Sequence, residues 1–125
     1  LSGTNDWIYR HLHQAAGELI ALATEHVNAE GLLKRALNQA ARELFLAQSS
    51  DWPFIMNSGT MVEYARRRFT DHLLNCRALC KQIRAGAVDE GWLGQLEERN
   101  NLFPHLDYRL FQSLETTVPR EISAV

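Results

Sequence analysis

Along most of this chain apolar residues return every three or four positions, and nowhere do they alternate singly over the length of a strand. That period lines apolar side chains along one face of an α-helix. Ile8, Leu12, Ala15, Leu19 and Leu22 form the first such stripe, in a helix expected from about Trp7 to about Val27 and capped by Asn5 or Asp6. Arg10 and His11 fall off the stripe and are expected to face water. The short connection Asn28-Ala29-Glu30-Gly31, with its own cap, leads to a second stripe of Leu33, Ala36, Leu37, Ala40, Leu44 and Ala47. Its alanines permit close helix approach, and short loops favour antiparallel neighbours. A third helix, from about Met61 to about Arg84, carries Val62, Ala65, Phe69, Leu73, Cys76, Cys80 and Ile83 at nearly heptad spacing, with Gly86 placed to stop it. Asp89 caps a shorter fourth helix whose apolar edge is Trp92, Leu93 and Leu96. The fold class is therefore all-α: an antiparallel bundle of three long helices plus a shorter fourth helix and an irregular C-terminal segment.

At 125 residues the chain is one domain, and a domain of this size buries roughly two-thirds of its unfolded surface without metal or disulfide staples. The turn-rich, aromatic stretch Asn100-Asn101-Leu102-Phe103-Pro104-His105-Leu106-Asp107-Tyr108 is expected to pack back onto the bundle. Residues from about 112 to 125 read as a tail ordered only by a parent chain. The first residue is Leu1 rather than Met, so residues 1–125 read as a single helical domain cut from a longer protein.

A longer interruption, between two strongly periodic helical segments, is Ala47-Gln48-Ser49-Ser50-Asp51-Trp52-Pro53-Phe54-Ile55-Met56-Asn57-Ser58-Gly59-Thr60. Pro53 lacks a backbone N–H and restricts the residue before it, so the second helix must end here. Thr60-Met61-Val62-Glu63 then reads as a capping box that starts the third. Between stop and start lie an aromatic, a carboxylate, an amide and several hydroxyls.

A formal charge of −2 gives no electrostatic case for nucleic acid or an anionic membrane, and no apolar run reaches the ~18–20 residues of a membrane span. Two cysteines make no disulfide framework, which favours a reducing cytoplasm. His72, Cys76 and Cys80 recur at i, i+4 and i+8, but zinc needs a second knuckle, so two buried thiols in a helical core are the better reading and no metal is assigned. His11 and His13 point in different directions and belong to solvated surface. Arg66-Arg67-Arg68 splay around a helix and read as a solvated face with local ion pairs. The carboxylates read as solvated, and no phosphate loop or nucleophile elbow is present. No catalytic residue and no cofactor is assigned.

Trp7 follows Asn5 and Asp6, and Trp52 follows Asp51. An indole beside a carboxylate can stack on a pyranose while the carboxylate takes its hydroxyls; it can equally plug a helix end into the core. On spacing alone both remain open.

Four phrases occur in one order: Asn5-Asp6-Trp7-Ile8-Tyr9-Arg10-His11-Leu12-His13; Glu43-Leu44-Phe45-Leu46-Ala47-Gln48-Ser49-Ser50-Asp51-Trp52-Pro53-Phe54-Ile55-Met56; Gly59-Thr60-Met61-Val62-Glu63-Tyr64-Ala65; and Asn101-Leu102-Phe103-Pro104-His105-Leu106-Asp107-Tyr108-Arg109. Together they resemble the C-terminal helical domain, long a domain of unknown function, of glycoside hydrolase family 57 enzymes of the 1,4-α-glucan branching type. The resemblance covers nearly the whole chain. It implies a parent with a distorted (β/α)₇ barrel ahead of Leu1, where a Glu nucleophile and an Asp acid/base perform retaining double displacement. An α-1,4 bond is cut and a glucan 6-hydroxyl captures the glycosyl unit, making an α-1,6 branch. The helical domain would pack on that barrel and help form the α-glucan groove. Trp7 matches a substrate-lining tryptophan, and Asp51 and Trp52 match the phrase expected near the groove. The barrel's catalytic pair has no counterpart here, so the fragment alone is expected to be inactive, with a docking face open to self-association. A family 57 α-amylase or 4-α-glucanotransferase parent, or a freestanding helical interaction module, are the competing readings.

Overall fold

The computed structural model describes residues 3–49, 59–101 and 103–112, without the side chains of 3–8, 59–63 and 65. Four helices follow one another: α1 (Gly3–Glu25), α2 (Gly31–Gln48), α3 (Gly59–Ala85) and α4 (Glu90–Arg99), with no strand among the described residues. They form the all-α antiparallel bundle that the periodicity requires.

The helix ends show which local signals act. α1 starts four residues before Trp7, so Asn5 and Asp6 lie inside its first turns rather than capping it. Amide and acidic side chains are favourable there too, because the first N–H groups and the positive helix end face them. The expected side-chain cap of α2 is also absent: Glu30 is extended and makes no capping bond. Instead the preceding loop is held from outside, by the Ala29 N–H donating to the Tyr108 hydroxyl at 2.9 Å. α3 begins at Gly59, which places Thr60 within its first turn; the side chains of Thr60 and Glu63 lie outside the described residues. Its far end matches expectation. Gly86 takes φ +66°, its N–H donates to the Ile83 carbonyl, and the Ala87 N–H donates to the Gln82 carbonyl. Those two bonds are the Schellman pair that closes a helix on a left-handed glycine. Asp89 caps α4 as expected, its Oδ1 accepting the Trp92 N–H at 3.1 Å.

α2 is the centre of the packing. It touches α1, α3 and α4, and its face with α3 is the largest in the bundle. Ala36, Ala40, Ala41 and Ala47 are fully buried, and their small side chains let neighbouring backbones come close around Leu37 and Leu44. Ala15, Leu19 and Leu22 of α1 are buried, as are Phe69, Leu73, Cys76, Cys80 and Ile83 of α3 and Leu93 and Leu96 of α4, all stripe positions. Each such leucine or larger side chain is worth about 1.5–3 kcal/mol of transfer free energy. Both thiols are buried, and the Cys80 side chain and burial push the Cys76 thiol well above its ordinary range. The three sides of α2 have a second consequence: its flanks are not solvated, so Gln39 and Glu43 are fully buried. The expectation that carboxylates lie on wet faces fails at Glu43.

The segment after α4 packs back as its aromatics suggest. Arg42 donates to the carbonyls of Phe103 (3.2 Å) and Pro104 (3.0 Å), and the Phe45 ring meets the Phe103 and Phe111 rings. Those contacts hold Phe103 at φ 57°, a region rarely occupied by a bulky residue. Tyr108 is fully buried; its hydroxyl donates to the His26 carbonyl at 2.6 Å while its N–H donates to Asn38 at 2.8 Å. One residue thereby ties the C-terminal segment to the α1–α2 loop through its hydroxyl and to α2 through its backbone. Residues 113–125, the expected tail, lie outside the described residues.

Candidate functional site

The most polar place inside the bundle is built around Glu43. Its position follows from the sequence period: Ala36, Ala40 and Leu44 carry the stripe, and Gln39 and Glu43, four apart, lie along its edge facing α3 and α4. Four donors converge on the carboxylate, two on each oxygen. Oε1 accepts from His72 Nδ1 at 2.8 Å and from Asn75 Nδ2 at 3.2 Å. Oε2 accepts from Gln39 Nε2 at 2.8 Å and from Asn100 Nδ2 at 2.9 Å. Burial by itself raises the carboxyl's pKa, but the bonds from His72, Asn100, Gln39 and Asn75 outweigh it and leave Glu43 below its ordinary range. It is an ionised carboxylate inside a bundle.

His72 is only 5% exposed, and both its ring nitrogens are engaged. Beyond the bond to Glu43, Nε2 lies 3.3 Å from the Arg68 guanidinium. Gln39 passes the network onward, donating also to the carbonyls of Asn100 (3.1 Å) and Leu96 (3.3 Å) and accepting from Arg42 at 2.6 Å. The cluster thus joins α2, α3, α4 and the C-terminal segment. On its outer side opens a cleft of about 330 Å³ lined by Arg68, Asp71, His72, Leu74, Asn75, Arg99 and Asn100.

The residues singled out from the sequence stand elsewhere. Trp7 lies on α1, with its side chain outside the described residues, and Asp51 and Trp52 fall in the α2–α3 connection, also outside them. His13 is exposed as expected, whereas His11 is half-buried rather than wet. Arg66, Arg67 and Arg68 are exposed, but Arg68 is engaged by His72 and by the Tyr64 ring, 5.9 Å from its centroid, instead of by a carboxylate. The Glu43 cluster went unread because polar residues at a stripe's edge look solvated until a third neighbour covers that edge. One signal was present: Glu43 opens the same phrase that carries Asp51 and Trp52.

Residues 11–111 match the family model described as "1,4-alpha-glucan branching enzyme, C-terminal". The chain belongs to this family. A 1,4-α-glucan branching enzyme of Thermococcus kodakarensis is 31% identical over 102 residues, which cover 78% of this chain and 15% of that protein. A probable 1,4-α-glucan branching enzyme of Mycobacterium tuberculosis is 35% identical over 78 residues, 58% of this chain and 14% of that protein. Among solved structures, the α-amylase AmyC of Thermotoga maritima superposes with a TM-score of 0.78 at 43% identity, covering 88% of this chain and 21% of that one. This branching-enzyme C-terminal domain therefore spans only a small share of its relatives' length. No helix among its described residues is long and apolar enough to cross a membrane.

Proposed function

We propose that this chain is the helical domain of a cytoplasmic glycoside hydrolase family 57 enzyme of the 1,4-α-glucan branching type. It packs on a catalytic barrel and helps to form the α-glucan groove, with Trp7, Asp51 and Trp52 as groove residues. The observation that carries this reading is the family match over residues 11–111, which includes the connection that holds Asp51 and Trp52 and begins after Trp7. The chemistry of that connection suits the role. An indole offers a flat apolar face to a pyranose, and the adjacent carboxylate accepts its hydroxyls. The Glu nucleophile and Asp acid/base belong to the barrel, so the domain's part is to orient glucan chains for retaining transfer to a 6-hydroxyl.

A second reading rests on the 43% identity to AmyC, titled an α-amylase. There water replaces the glucan 6-hydroxyl as acceptor, and the helical domain keeps the same place. The intact protein containing this chain, incubated with amylose and analysed by proton NMR, separates the two. Branching predicts new α-1,6 linkages with few new reducing ends; hydrolysis predicts new reducing ends without α-1,6 linkages. Absence of any change in the glucan would overturn both.

A further inference from the structure

Glu43 arranges more than its own satisfaction. Its oxygens draw in the donor groups of His72, Asn75 and Asn100. A carboxylate can only accept and a guanidinium can only donate, so His72 carries its proton on Nδ1 and presents the Nε2 lone pair to Arg68. By the same reasoning both asparagine amide nitrogens face Glu43, and each carbonyl oxygen is turned away from it. What Asn75 and Asn100 have left is one amide oxygen each, and both residues line one cleft, whereas the His72 Nε2 lone pair is already taken by Arg68. Among the described residues neither amide oxygen accepts a hydrogen bond. The donors come from the walls: Arg68 on α3 and Arg99 at the end of α4, neither of which is ion-paired among the described residues. Asp71 adds a carboxylate, and Leu74, 58% exposed, adds an apolar surface.

We propose that this cleft binds a neutral, hydroxyl-rich ligand, a segment of α-glucan, through residues other than Trp7, Asp51 and Trp52. The proposal rests on the functional reading above for the identity of the sugar. Its chemical class follows from the cleft itself. A sugar hydroxyl donates one hydrogen bond and accepts others, which suits acceptors on the floor flanked by guanidinium donors. A compact anion would face two amide oxygens and the Asp71 carboxylate with only two cations to offset them. Leu74 offers the contact that a pyranose C–H face needs.

The test titrates maltoheptaose into the intact protein by calorimetry, in wild type and in a Trp7→Ala/Trp52→Ala background that isolates binding outside the groove. Adding Arg99→Ala or Asp71→Ala, both exposed and outside the Glu43 network, should weaken the remaining binding by about fivefold or more, the loss of one hydrogen-bonding group. Melting temperature should stay unchanged in both. No remaining binding in the tryptophan background, or affinity unaltered by both added substitutions, overturns the proposal. Orthophosphate binding that depends on Arg99 while maltoheptaose binding does not would make the cleft an anion site and overturn it as well. The two readings fail separately. If α-glucan conversion collapses in the tryptophan variants while Arg99→Ala leaves maltoheptaose binding intact, the cleft proposal falls and the groove stands. A wild type that neither converts nor binds α-glucan removes both.

Discussion

At the scale of single residues, Glu43 decides the most. A fully buried carboxylate with two donors on each oxygen is tolerable only while all four remain. In Glu43→Gln the new amide group would meet two converging donors with its own N–H. That loss is expected to cost on the order of 3–5 kcal/mol, read as a lower midpoint in urea unfolding. The pH dependence has a definite sign. The folded carboxyl lies below its ordinary value of 4.5, so its contribution is complete above that pH and disappears as pH falls through the lower folded value. The melting temperature should therefore drop as the solution is acidified below about 4.5, and Glu43→Gln should flatten that part of the curve. Asp107, held down to about 2 by Arg109, is partly exposed and screened, and adds little to the effect. None of this was legible in the sequence, where Glu43 is one carboxylate among many. Its two immediate α3 partners, His72 and Asn75, come from a helix some thirty residues away, and only the packing of α2 against α3 brings them together.

At the scale of elements, the period of the apolar residues carried most of the fold. The stripe positions described on α1, α2 and α3, the glycine stop at Gly86 and the Asp89 cap stand where the sequence puts them, while the Ile8, Val62 and Ala65 side chains lie outside the described residues. What the sequence misplaced was the start of α1, because Asn5 and Asp6 are residue types that serve both as caps and as first-turn residues, while α2 begins at Gly31 at the end of the expected connection but without the expected side-chain cap. The α2 start is instead held by tertiary contact. Tyr108 bridges the Ala29 N–H and the His26 carbonyl, and Phe in its place would leave that N–H with no hydroxyl acceptor. Tyr108→Phe should lose about 1–3 kcal/mol in denaturant unfolding, with early hydrogen exchange at Ala29. Arg35 adds a smaller tie, its guanidinium donating to both oxygens of Glu97 at 2.7 and 3.1 Å across α2 and α4; its half-exposed setting limits its worth.

At the scale of the whole molecule, a helical bundle with a buried ionic centre has, on the function proposed above, two places for a sugar. One is the α2–α3 connection with Asp51 and Trp52; the other is the cleft outside Glu43. The phrase Glu43–Met56 runs from one to the other, so a change that loosens Glu43 should also disturb the connection. The family match makes this chain the C-terminal domain of a branching-enzyme-type protein, and it covers only 15% of one relative's length. The most direct measurement of the account compares amylose branching by the intact protein with that of Trp7→Ala and Trp52→Ala. Each variant is first checked for an unchanged helical circular dichroism spectrum. The account predicts that α-1,6 linkage formation falls at least tenfold in a folded variant, the loss expected when a stacking ring leaves a substrate groove. Unchanged branching in both folded variants would contradict it and return the two indoles to the core.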